Sequence, residues 1–116
     1  MKVIIAGSRT IHSAPIDEII KASGFEITEV VSGHHWEGVD VLGEQWARLH
    51  GLQPKTFPAD WKRFGKSAGP RRNRQMAEYA DALILIWNGI TSGSANMLQE
   101  AEKRGLLIYQ HKDVLD

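Results

Sequence analysis

Three arginines fall within the six residues Gly69-Pro70-Arg71-Arg72-Asn73-Arg74, in a chain whose formal net charge is zero. The segment reads as a loop turning into a helix, with Pro70 at the first helical position, where its missing N–H costs nothing. A helix start supplies unpaired N–H groups and the positive end of a dipole. Guanidinium forks placed there, Arg72 with Asn73 beside it, would suit a phosphate or a carboxylate. A solvated basic helix end fits the same residues equally well. The segment needs company before it means a site.

Company comes from three small, polar corners, each of which follows an apolar run. They are Gly7-Ser8-Arg9, then Ser32-Gly33-His34, then Asn88-Gly89-Ile90-Thr91-Ser92-Gly93-Ser94. Glycine lets the main chain approach a ligand closely, and a hydroxyl can donate to a phosphate oxygen. One such corner is ordinary turn chemistry. Three of them on one edge favour a phosphate-bearing ligand. Two residues of the polar stretch 58–69 join the candidates: Trp61 could stack a base while Lys66, with Lys62 and Arg63, holds phosphate. A hydrophobic plug that pins the long loop is an equal reading of Trp61. Trp46 fits a helix stripe, Trp87 is core or pocket wall, and Trp36 lies in a polar loop.

Other chemistries find little support. Gly65-Lys66-Ser67 resembles the end of a Walker A loop, but Asp60 stands where the leading glycine belongs and no strand runs into it. Gly-x-Gly-x-x-Gly is absent after the first strand. No Gly-x-Ser-x-Gly elbow surrounds Ser8, Ser32, Ser92 or Ser94, so a hydrolase triad is not expected. His34 and His35 are adjacent with no second ligand pair at metal spacing, so ligand contact at the second corner or simple loop exposure is expected of them, and no metal or resident cofactor is expected. Cysteine is absent, which removes disulfides and thiolate chemistry. Lysine plus arginine (14) balances aspartate plus glutamate (14), so the overall charge does not favour nucleic acid. A stripe of Lys62, Arg63, Lys66, Arg71, Arg72 and Arg74 is the residue set that would have to bind it. The first apolar run is too short for a signal peptide or a membrane span, and a cytoplasmic protein with no membrane attachment is expected.

The elements that must position these residues alternate. Val3-Ile4-Ile5-Ala6 is a continuous apolar run closed by Gly7, as in a strand buried on both faces. Ile16, Ile19 and Ile20 recur at helical spacing before Gly24. A second strand is predicted over Ile27–Val31 and a helix from Val39 to His50, where Val39, Leu42, Trp46 and Leu49 form a stripe. A short strand at Lys55–Phe57, a polar loop to Gly69, a helix over Arg71–Tyr79 and the strand Ala82–Trp87 follow. Met97, Leu98 and Ala101 mark a last helix, and Leu106–Tyr109 a last strand. Such alternation predicts one α/β domain over residues 1–111, an open, mostly parallel sheet of about five strands with helices on both faces, and a short tail at 112–116. Ligands of such sheets bind beyond the carboxyl ends of the strands. A sheet of this size leaves apolar helix surface for a partner copy, so a homo-oligomer is expected.

The order of the corners resembles the SLOG superfamily, in its small YspA-like branch related to LOG- and DprA-type proteins. Phe57-Pro58-Ala59-Asp60-Trp61 and Gly65-Lys66-Ser67-Ala68-Gly69-Pro70-Arg71-Arg72-Asn73-Arg74 carry the most specific likeness. Gly7-Ser8-Arg9 is similar to the branch's first corner, and Ser92-Gly93-Ser94-Ala95-Asn96-Met97 to its last. The resemblance implies a Rossmann-like fold that binds nucleotide-derived molecules, relatives of ADP-ribose and NAD among them. The second corner departs from the pattern: Ser32-Gly33-His34-His35-Trp36-Glu37-Gly38 is longer and lacks an arginine. LOG-type phosphoribohydrolases carry a glutamate three residues after a Gly-Thr pair, and Met97 takes that position here. A thioether cannot relay a proton. The expectation is a sensor or sequestering module for a small nucleotide-derived ligand. The alternative is an N-glycoside hydrolase in which Asp40, Glu37 or Glu100 replaces the missing carboxylate.

Overall fold

A computed structural model describes residues 1–113. The strands are β1 (Lys2–Gly7), β2 (Glu29–Ser32), β3 (Lys55–Thr56), β4 (Ala82–Trp87) and β5 (Leu107–Lys112). The helices are α1 (Ile16–Ser23), α2 (Val39–Leu49), α3 (Trp61–Phe64), α4 (Ala68–Tyr79) and α5 (Ser92–Lys103), with a 3₁₀ turn at Gly65–Ser67. All strand pairs are parallel, in the order β3-β2-β1-β4-β5. The fold is therefore the expected α/β type, with five parallel strands. Strand order reverses between β1 and β4, so the switch point lies at their carboxyl ends.

Burial follows from the strand period of two. Val3 and Ile5 of β1, with Ile84 and Ile86 of β4, pack against α1 and α2. Ile4 and Ala6, with Leu83 and Leu85, pack on the other face against α4 and α5 through Met76, Ala77, Met97 and Ala101. The eight strand residues lie at or near zero exposure, and each large aliphatic among them contributes roughly 1.5–3 kcal/mol of burial. Continuous apolar runs are what a sheet covered on both sides requires. Gly24 closes α1 in the left-handed conformation, φ 75°.

Several boundaries differ from the sequence reading. β2 lies at Glu29–Ser32, two residues later at its start than predicted. The predicted loop 58–69 contains α3, the 3₁₀ turn and the start of α4, so Pro70 is the third helical residue rather than the first. Proline is tolerated there because first-turn N–H groups have no intrahelical partner. The amide of Ala68 is bonded to the carbonyl of Gly65, so the first amide of α4 is not bare. β5 runs on to Lys112, and residues 114–116 of the expected tail lie outside the described residues.

Candidate functional site

A cleft of about 570 Å³ opens at the β1–β4 switch point. Its first wall is the corner after β1. A Cβ on Gly7 would overlap the carbonyl of Ile86, so only glycine lets β1 and β4 stay paired at their ends. The chain then turns with Ser8 N–H donating to that same carbonyl (3.1 Å). The Ser8 carbonyl accepts from Val39 N–H (3.2 Å), which ties this corner to the start of α2. Ser8 is buried, and its Oγ lies 3.5 Å from Thr91 Oγ1 across the switch point.

The second wall is the start of α5. Asn88 Oδ1 accepts from the N–H groups of Ile90 (3.0 Å) and Thr91 (3.2 Å), which folds the loop into the helix. Thr91 precedes the helix in an extended conformation, and Ser92, Gly93 and Ser94 form its first turn, all three lining the cleft. First-turn N–H groups have no intrahelical acceptor, and the helix dipole adds partial positive charge there.

Arg72 reaches the cleft from α4. Its Nη1 donates to the carbonyl of Gly33 (2.7 Å) and its Nε to Asn73 Oδ1 (3.0 Å). Asn73 in turn donates through Nδ2 to Asn96 Oδ1 (2.9 Å) and to the Gly93 carbonyl (3.4 Å), joining α4 to α5. A Cβ on Gly33 would press on the Arg72 guanidinium and lie 3.0 Å from Asp40 Oδ2. Gly33 is thus the spacer between a buried carboxylate and a half-buried cation. Burial pushes the Asp40 carboxyl above its ordinary value, opposed by the His35 N–H that it accepts (3.0 Å) and by the charge of Arg72. Burial also lowers Arg72, opposed by Asp40, although a guanidinium keeps its charge.

Among the described residues, Arg9, Lys66 and Arg72 face the cleft as cations against one carboxylate, Asp40. Ala6, Met76 and Met97 supply apolar lining. Trp61, 49% exposed, stands at the margin with the Arg9 guanidinium 6.0 Å from its ring. Asp60 caps its short helix by accepting Arg63 N–H (3.1 Å). Of the six residues in the basic stripe, Lys66 and Arg72 line the cleft. Arg63 and Arg71 lie instead over the Phe64 ring, at 5.0 and 4.3 Å.

Eleven of the candidate residues therefore come together here: Gly7, Ser8, Arg9, Gly33, Trp61, Lys66, Arg72, Asn73, Ser92, Gly93 and Ser94. Ser32, His34 and Asn88 do not line the cleft. Ser32 and His34 bind the buried carboxylate of Glu44, and Asn88 shapes the loop before α5. Of the two adjacent histidines His35 lines the cleft, and Thr10, Thr91 and Asn96 line it without having been candidates. The N-cap place of Thr91 before a glycine–serine turn was a usable signal. Nothing in the local sequence separates His35 from His34. Trp87 proves to be core, its Nε1 donating to Gln110 Oε1 (3.1 Å). No helix among the described residues is long and apolar enough to cross a membrane.

Comparison with known families matches residues 1–64 to the YspA, cpYpsA-related SLOG family, over more than half of the chain. The matched span contains the first two corners and Trp61. Arg72 and the α5 corner lie beyond it. No curated protein and no solved structure matches.

Proposed function

The chain belongs to the YspA, cpYpsA-related SLOG family, and on that premise we propose that it binds a small nucleotide-derived ligand, as a sensor or sequestering module. One observation carries the reading: Arg9, Lys66, Arg72, Ser8 and the first turn of α5 converge on a single cleft at the switch point of a parallel sheet. Its volume falls within the ordinary range for small-molecule sites. Phosphate groups sit against the α5 amides and Arg72, where charge-assisted hydrogen bonds are strongest. The base lies toward Trp61, where the indole face offers stacking. AMP, NAD and ADP-ribose are the probes to titrate by calorimetry. Arg72→Ala is expected to weaken binding by about 10- to 100-fold with the fold retained. Unchanged affinity in a folded Arg72→Ala protein would contradict the assignment.

A second reading, N-glycoside hydrolysis, narrows to Asp40. Of the three carboxylates that could serve, Asp40 lines the cleft, whereas Glu37 does not and Glu100 is paired with Lys103 (3.7 Å). A carboxyl raised by burial is suited to donating a proton to a leaving base. Release of free base from AMP or NAD, lost in Asp40→Asn, would favour this reading. Intact probes after long incubation would remove it.

A further inference from the structure

Residue 34 is the one non-glycine with positive φ (59°) among the described residues. A histidine there pays a steric cost that surrounding contacts must offset. Those contacts converge on Glu44, a buried carboxylate of α2. His34 Nδ1 lies 2.9 and 3.1 Å from its two oxygens. Ser32 Oγ donates to it (2.7 Å) while accepting the His34 N–H (3.0 Å), and Arg48 Nη2 donates from the next turn (3.3 Å).

Past this reversal, His35 lines the cleft and His34 does not. His35 is then braced on three sides. Its N–H is held by Asp40 Oδ2, its Nδ1 lies 3.2 Å from both the N–H and the carbonyl of Glu37, and Trp36 stacks on it at 5.5 Å and 25°. Nε2 is the ring nitrogen left over. The Glu37 N–H donates to Nδ1 in the tautomer that carries its hydrogen on Nε2, and in that tautomer Nε2 is a donor.

We propose that the His34–Glu44 pair is a positioning latch that sets His35 as a ligand-contacting residue, its Nε2 donating to a phosphate or ribose oxygen beside Arg72. This rests on the ligand-binding reading above. His34 acts only through His35, and that dependence is measurable.

The experiment is a calorimetric double-mutant cycle with ADP-ribose on the whole chain, each variant checked for folding by circular dichroism. His35→Ala is expected to lose about tenfold in affinity, the worth of one good hydrogen bond to an anion. His34→Ala loses a similar factor, and the double variant loses no more than His35→Ala alone. His34→Gly enters the left-handed region freely and regains most of the loss. If His34→Ala fails to fold, His34→Gly and His34→Gly/His35→Ala carry the test: affinity near wild type in the first and near His35→Ala in the second is expected. Losses that add, full affinity in a folded His34→Ala protein, or no recovery in His34→Gly would overturn the latch while ligand binding stands. Wild-type protein that binds none of AMP, NAD or ADP-ribose would remove the ligand reading first, and the latch with it.

Discussion

The two ends of the cleft are built by different means. At the β1–β4 corner the main chain does the shaping: Gly7 lets two strands close, Ser8 N–H binds Ile86 carbonyl, and α5 starts with bare amides. At the β2 corner side chains do it. Glu44 gathers Ser32, His34 and Arg48, while Arg72 holds the Gly33 carbonyl. A corner made by main chain tolerates change in its neighbours but not at its glycine. A corner made by side chains can be retuned one residue at a time without touching the sheet.

Substituting the two corner glycines should break this contrast most sharply. Gly7→Ala sets a Cβ into backbone that cannot yield, and is expected to cost about 3 kcal/mol or more in urea unfolding. Gly33→Ala meets the far end of Arg72 instead, which can swing aside. Its expected effect is about a tenfold loss of ADP-ribose affinity, with stability changed by only about 1 kcal/mol. Equal stability losses in both variants would erase the distinction.

A smaller effect belongs to Asn88. Asn88→Ala removes the acceptor for two loop amides and is expected to cost about 1 kcal/mol in thermal unfolding, with ligand affinity reduced less than in Arg72→Ala. The pH dependence of stability gives the finest test. Burial raises Asp40 in the folded state, so the native protein holds that proton more firmly than the unfolded chain does. Below about pH 4 both states are protonated and Asp40 costs nothing. As pH climbs from there toward neutrality, ionising it becomes a growing penalty. Asp40→Asn, which keeps an acceptor for the His35 N–H, should therefore gain on the wild type as pH rises. A gap that closed with rising pH would reverse the assigned sign.

The same division explains what could be read in advance. Strands β1 and β4 announce themselves because burial on both faces demands unbroken apolar runs, and their corners because close approach demands glycine. α3 and the 3₁₀ turn were hidden in the polar stretch 58–69, since one turn of helix is too short to show a period. Arg71 and Arg72 look alike in sequence. A helix turns about 100° between neighbours, which leaves Arg71 on Phe64 and sends Arg72 to Gly33. Of the adjacent His34 and His35 only the second lines the cleft, because the choice depends on the sign of one φ angle and on a carboxylate ten residues away. Long-range partners of that kind leave no local pattern.

In the proposed function both corners serve one anionic ligand. Backbone amide NMR during titration with ADP-ribose reads both at once. Saturable shifts are expected at Ser8, Gly33, His35, Ser92, Gly93 and Ser94 with one shared dissociation constant, and saturation at about 10- to 100-fold higher ligand in Arg72→Ala. Shifts confined to exposed residues such as Arg63 and Arg71, or no saturation at any corner, would contradict it.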